Sequence, residues 1–251
     1  MHSLDKRFLK EIKRVLPSQT ILLSEEQRKP YECDGLSGYR ALPGVVLLPD
    51  TVDAVQKILA LCQRYQIPVV ARGAGTGLSG GATPHPEGVL LSMARFNQVL
   101  TIDKVAATAR VQPGVRNLAI SEAVADIGLY YAPDPSSQIA CTIGGNVAEN
   151  AGGVHCLKYG LTVHNVISAQ VVLMGGEILE IGGEALDNPG YDLLAAFVGS
   201  EGMLGVVTEV TVRLLPRPIA AKALMSSFDS TEDAATAVAR IIGEGIIPAG
   251  L

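Results

Sequence analysis

Apolar residues recur at helical spacing from the start of the chain. Leu4, Phe8, Leu9, Ile12, Val15 and Leu16 share one face, which predicts an amphipathic helix over 4–16. "SEEQRKPYECDG" opens as a short capped helix that Pro30 stops or kinks, with "EEQRK" as its solvated face. The pattern then shifts to short apolar runs bounded by turn residues. "GVVLLP" (44–49), "IPVVAR" and "GVLLSM" read as buried strands. Between the first two, Thr51 caps a helix whose stripe is Val52, Val55, Ile58, Leu59 and Cys62. Strand–helix–strand over this length is a βαβ unit, with its loop at the C-terminal end of a strand.

From about residue 97 the texture changes. "QVLTIDKVAATARVQPG" alternates as two antiparallel strands, and "VRNLAISEAVADIG" reads as a helix. "VISAQVVLMGGEILEIGG" is a hairpin turning on Gly175-Gly176. "YDLLAAFVG" is a short helix and "LGVVTEVTVRLLPRP" a strand run. Residues 223–242 open a further strand and helix before "GIIPAGL", which reads as the beginning of another domain. No internal repeat is present.

Composition narrows the function classes. The 251 residues are 48% hydrophobic with 18% charged, enough core for one large domain or two small ones. A net charge of -5 without a Lys/Arg cluster leaves no basic face for nucleic acid. Trp is absent and Phe numbers four, so stacking platforms for single strands are missing too. A phosphate-bearing ligand would be held mainly by backbone N–H groups and a few single cations. The N-terminus lacks the apolar run of a secretory signal, and no stretch approaches the roughly 18 apolar residues of a membrane span. Four cysteines without a C-x-x-C pairing read as reduced thiols of a cytosolic protein. No H-x-x-x-H, C-x-x-C or clustered carboxylates point to a metal.

"ARGAGTGLSGG" (71–81) contains a literal G-x-G-x-x-G. A Rossmann fingerprint needs a helix beginning at the third glycine and an acid about 20 positions on. Here Gly80-Gly81 leads into "ATPHPEG" and another strand, leaving no room for a helix, and Glu87 and Asp103 stand at the wrong distances. No Gly-Lys-Ser/Thr follows, so it is not a Walker loop. What remains is either a plain glycine-rich connection or a nest, in which residues without Cβ turn successive N–H groups toward one anion. In the nest, Arg72 adds a cation and Thr76 and Ser79 add hydroxyls. A second stretch, "PDPSSQIACTIGGNVAENAGG" (133–153), is too poor in bulky side chains to offset its own ordering entropy by packing, which a bound ligand would explain. A third, "GSEGMLGVVTE" (199–209), sets a Gly-rich turn before a strand whose edge could donate.

These three segments, in this order and at these separations, resemble the FAD-linked oxidases of the vanillyl-alcohol oxidase or PCMH type. The likeness spans residues 45–218. It implies an α+β fold of two α+β subdomains, one small with parallel strands and one larger and mainly antiparallel, holding FAD between them. The implied divisions are an N-terminal helical segment (1–44), the FAD-binding domain (45–218, divided into 45–97 and 98–218), and the start of a C-terminal substrate domain (219–251). "NAGGVHCLKYGLTVHNV" is most similar to the D-2-hydroxyacid branch, and within it to the FAD-binding D subunits of glycolate oxidases.

Carried over by motif, the family's pyrophosphate loop falls on Arg72, Gly73, Ala74, Gly75, Thr76, Gly77 and Gly80. Ser137, Cys141, Thr142, Gly144, Gly145, Asn146 and Ala148 would follow the rest of the dinucleotide and underlie the ring. Glu201 and Val207 would meet the adenosine or ring end through the strand edge. Relatives with covalent flavin carry His where this loop has Thr76, which implies non-covalent FAD. The implied reaction is hydride removal from a small 2-hydroxy acid, glycolate to glyoxylate, with a base taking the hydroxyl proton. His155 and His164 are the only candidate bases near the flavin segment, and an ordinary satisfied loop histidine is the preferred reading of each. The resemblance places the base, the substrate arginine and any metal ligands in the C-terminal substrate domain.

Two readings of function follow. In one, the chain is the flavin half of a 2-hydroxy-acid dehydrogenase, with partner subunits that include an iron–sulfur subunit, and a cytoplasmic location peripheral to the membrane's inner face. In the other it is an FAD-binding module or accessory subunit without its own turnover. D-lactate and D-2-hydroxyglutarate are the alternative substrates, and a UDP-sugar enolpyruvyl reductase fits "CTIGGNVAENAGG" less well. A flavin site open on one face is also expected to expose apolar surface and favour self-association.

Overall fold

The computed structural model describes residues 4–183, 185 and 190–251. Helix α1 (Lys6–Val15) starts at Asp5, whose carboxylate accepts the Arg7 N–H, and buries Phe8 and Ile12. Strand β1 (Ile21–Leu22) follows, then α2 (Glu25–Arg28), closed by the reciprocal capping box of Ser24 and Gln27. Pro30 lies in the single 3-10 turn that ends it. Next come β2 (Val45–Leu47), α3 (Val52–Tyr65), β3 (Val69–Arg72) and β4 (Val89–Ser92). As expected, the Thr51 hydroxyl caps α3, accepting the Ala54 N–H at 3.3 Å.

These elements form one sheet in the order β1-β2-β4-β3, with β2, β4 and β3 parallel. Strand β1 has no counterpart in the apolar pattern of the sequence. It pairs antiparallel with β2 through Ile21↔Leu47 and Leu22↔Val46 and covers the sheet edge. Two residues carry no readable periodicity, so only the tertiary pairing reveals this strand. Phe8, Ile12, Leu16 and Ile21 share one apolar cluster with Val45, Leu47, Val55, Ile58 and Leu91. The N-terminal segment is therefore packed into the parallel-sheet core, and complete burial of Phe8 and Ile12 contributes about 1.5–3 kcal/mol each.

The second half begins with the antiparallel pair β5 (Val99–Asp103) and β6 (Thr108–Val111), then α4 (Asn117–Ala123) and β7 (Leu129–Tyr130). Three short helices follow: α5 (Ile143–Glu149), α6 (Cys156–Tyr159) and α7 (Thr162–Asn165). The hairpin β8 (Val166–Val172) and β9 (Ile178–Gly182) turns at Gly175-Gly176 as expected. After α8 (Leu193–Phe197) come β10 (Val206–Arg213), β11 (Leu215–Pro216) and α9 (Thr231–Gly243). The main sheet runs β5-β6-β10-β8-β9, antiparallel throughout, and β11 pairs with β7. Its inner face buries Val111, Val171, Val210 and Val212 against Ile120, Ile143 and Val147. This is the α+β architecture of two unlike subdomains.

Two local expectations are corrected. The strand expected from residue 223 is absent: 220–228 is irregular, and Leu224 and Met225 are fully exposed. An apolar run becomes a strand only where another strand pairs with it, and none does so among the described residues. The ligand-dependent stretch 133–153 contains α5. Gly144 and Gly145 hide it, since each costs a helix about 1 kcal/mol relative to Ala. Burial of Ile143, Asn146 and Val147 holds it in place.

Candidate functional site

A cleft of about 340 Å³ opens between the two halves. Its first wall is the connection from β3 to β4, which is irregular from Gly73 to Gly88, as the rejection of a Rossmann helix requires. Among the described residues, no N–H from Ala74 to Gly81 donates to a protein acceptor. Such a run of free donors beside a cleft is what an anion-binding nest consists of. Gly75 has φ +71°, and a Cβ there would come 2.2 Å from the Arg72 guanidinium. Arg72 Nη1 donates to Cys33 O at 2.8 Å, and its guanidinium lies 5.7 Å from the Tyr31 ring centre. Burial pulls the Arg72 pKa below its ordinary value, with Asp34 opposing that shift. Arg72 is thus a cation fixed beneath the loop.

The second wall is the segment from Pro135 through α5. Asn117 Nδ2 donates to Pro133 O at 3.1 Å and to Asn146 Oδ1 at 3.0 Å. This buried amide pair ties α4, α5 and the 133–137 segment into one surface. Gly144 packs so closely on Pro113 that a Cβ would stand 2.6 Å from the proline side chain. The Thr142 hydroxyl is buried and has no partner, an orphan at the lining of the cleft.

The third wall is the turn before β10. This strand is central, because β6 and β8 pair with it on either side. Its pairing with β6 begins only at Val210↔Val111, whereas its pairing with β8 begins at Val206. The first turn of β10 therefore overhangs β6, and an open edge survives over 206–209. Glu201 has φ +55° in the preceding turn.

Fifteen of the sixteen expected residues line this cleft: Arg72, Gly73, Ala74, Gly75, Thr76, Gly77, Ser137, Cys141, Thr142, Gly144, Gly145, Asn146, Ala148, Glu201 and Val207. Gly80 does not. At φ +83° it turns the loop beside Leu36 and Thr83, and Gly81 takes the lining position. Asp34, Pro113, Glu149 and Phe197 line it as well without having been expected. Only their tertiary placement brings them there. His155 and His164 lie outside the lining. His155 Nδ1 stands 2.6 Å from Asp134 Oδ2, and His164 Nδ1 accepts the Leu161 N–H at 3.0 Å. His155 lies in the turn before α6 and His164 within α7, and each has a protein hydrogen-bond partner. Cys141 is buried, its nearest polar neighbour being the Asn146 amide, with no adjacent base.

A family model described as an FAD binding domain matches residues 43–182. The chain belongs to this FAD-binding family. Glycolate oxidase subunit GlcD of Escherichia coli (strain K12) is 63% identical over 243 residues, which are 97% of this chain and 49% of GlcD. The chain thus spans about half the length of the curated relatives it matches. Among solved structures, alkyldihydroxyacetonephosphate synthase superposes with a TM-score of 0.83 at 22% identity, over 99% of this chain and 52% of that one. p-Cresol methylhydroxylase with substrate bound gives 0.72 at 20% identity, over 86% of this chain and 45% of its own. At such identities the likeness is one of fold, and it is the PCMH-type fold. FAD is the cofactor of the family. The free amides of the glycine loop, the fixed Arg72 and the orphan hydroxyl of Thr142 fit a dinucleotide of that kind.

Proposed function

We propose that this chain is the FAD-holding half of a 2-hydroxy-acid dehydrogenase, with glycolate as substrate and glyoxylate as product. The observation that carries the reading is the convergence of three glycine-bearing segments on one cleft whose loop amides lack protein acceptors. The high identity to GlcD of Escherichia coli supports glycolate over D-lactate or D-2-hydroxyglutarate.

In this reading Arg72, Gly73, Ala74, Gly75, Thr76 and Gly77, with Gly80 shaping the turn, hold the pyrophosphate. Ser137, Cys141, Thr142, Gly144, Gly145, Asn146 and Ala148 support the remainder of the dinucleotide, and Glu201 and Val207 close its far end. When bound, FAD supplies the acceptor for the hydride of the substrate carbinol. The chain's own part is to orient it: backbone N–H groups fix the phosphates, and the Asn117–Asn146 pair keeps the opposite wall rigid. Thr76 offers only an unactivated hydroxyl where relatives with covalent flavin carry His, so in this reading the cofactor is held without a covalent bond. The base and substrate-carboxylate cation belong to the part of the relatives that this chain does not span.

The reading also implies other subunits, one of them carrying iron–sulfur clusters, and a cytoplasmic location peripheral to the membrane through those partners. No helix among the described residues is long and apolar enough to cross a membrane.

The test is an anaerobic absorption spectrum after mixing with FAD, followed by glycolate, D-lactate and D-2-hydroxyglutarate. The expected outcome is a bound flavin band, released intact by acid and bleached by glycolate in protein that includes the remaining half. A folded chain that takes up no flavin would sink the reading.

A further inference from the structure

The glycine loop already faces an anion, and it comes from the chain itself. Glu149, the last residue of α5, reaches across the cleft, where its Oε2 accepts the Ser79 hydroxyl at 2.7 Å. Its Oε1 stands where side chains on the loop would be: a Cβ added to Gly81 would lie 2.8 Å from it, and one on Gly77 3.7 Å. The carboxylate therefore lies beside the loop, bonded to it through the Ser79 hydroxyl and through none of its N–H groups. A nest of free amides attracts negative charge, and two carboxylates of the cleft supply it: Asp34, which is buried and accepts the Ala82 N–H, and Glu149, which is exposed on the opposite wall.

We propose that the Glu149 carboxylate, bonded to Ser79, latches the glycine loop to α5 and opposes the phosphates by its charge until the dinucleotide displaces it. The proposal rests on the reading of the cleft as the FAD site. Its physical basis is competition between like charges. A carboxylate beside Gly77 and Gly81 repels an approaching pyrophosphate. The latch is weak by construction, because Glu149 is exposed and its contact is screened by water. It ties the loop to α5 without closing the cleft. The fixed Arg72, tied to Cys33 O beneath the loop, stays with the cradle in both states.

The experiment is titration of the flavin-free chain with FAD, followed by quenching of flavin fluorescence, with ADP as a second probe that carries the pyrophosphate but no ring. Glu149→Gln keeps the shape and removes the charge, and it should tighten both ligands by about fivefold, the scale set by one exposed charge contact. Glu149→Ala removes the carboxylate together with its reach to Ser79 and should tighten both ligands to a similar extent. Equal or weaker binding by Glu149→Gln, in a variant whose circular dichroism matches the parent, would overturn the latch. It would instead make Glu149 part of the holding set or a bystander. Absence of FAD uptake by the parent and both variants would overturn the reading of the site itself, an outcome distinct from the failure of the latch.

Discussion

The Thr142 hydroxyl and Gly73 face each other across the cleft so closely that a Cβ on Gly73 would stand 2.2 Å from Thr142 Oγ1. Glycine is required there because the first residue of the loop passes directly over the threonine that begins the second wall. Gly73→Ala should push the two walls apart at the cost of about 1–3 kcal/mol, the ordinary penalty of overpacking. It should raise the dissociation constant for FAD by about tenfold or more. Thermal melting and flavin titration of the same preparation would read both effects.

Thr142 itself gives a prediction of opposite signs. Its buried hydroxyl lacks a partner, and leaving such a group unpaired costs about 1–3 kcal/mol. Thr142→Val should therefore stabilise the flavin-free chain by about 1 kcal/mol, a rise of about 2–4 °C in Tm. The same change should weaken FAD binding, because the hydroxyl can no longer donate to the ligand. A fall in Tm would show that the hydroxyl is already satisfied without cofactor.

Two adjacent glycines separate packing from binding. Gly144 lies against Pro113, whereas the nearest atom to a Cβ on Gly145 is Thr142 Oγ1 at 3.5 Å, an ordinary contact. Gly144→Ala should destabilise the chain by about 1–3 kcal/mol through displacement of α5. Gly145→Ala should stabilise the flavin-free chain by about 0.5–1 kcal/mol, as Ala replaces Gly within a helix. Because Gly145 lines the cleft, that gain should come with weaker FAD binding. Denaturant midpoints and flavin titrations of the pair would distinguish these effects.

Cys62 sets an alkaline limit. It is buried on α3, and burial pushes its thiol up to about 12 from an ordinary value of 9.0. Below about pH 9 the thiol is neutral in both folded and unfolded chains, and its contribution to stability is fully present. Between about 9 and 12 the unfolded chain loses this proton and the folded chain keeps it, so stability falls as pH rises. Native protein should react with a thiol reagent through Cys33 and Cys156, which are partly exposed, while Cys62 and the buried Cys141 react only on unfolding. Rapid labelling of all four thiols in the native state would contradict this.

Features governed by local rules were legible in the sequence. Thr51 with its stripe specified α3, Gly175-Gly176 specified the β8–β9 turn, and Pro84 with Pro86 left no helix after the glycine loop. The three lining segments were legible because glycines crowd where backbone approaches something closely. What escaped depended on distant partners. β1 exists through pairing with β2, and α5 through burial of Ile143 and Val147 despite two glycines. The Asn117–Asn146 bond joins residues far apart in sequence, and neither asparagine announces it. The strand expected from 223 failed for the converse reason: its residues suit a sheet, and no strand accepts them among the described residues.

The apolar cluster of the parallel sheet takes in Val172 and Val206 of the second half, and the cleft draws its lining from both halves. A ligand bound there touches both, so it acts as a tether as well as a reagent. Without it, their junction rests on this shared packing and on contacts such as Gln56 to Gly176 O. With it, opening of either half forfeits the shared binding energy, which grows with the logarithm of ligand concentration. Flavin supply then sets how firmly the two halves hold together, and the cell's protease machinery would meet correspondingly different substrates.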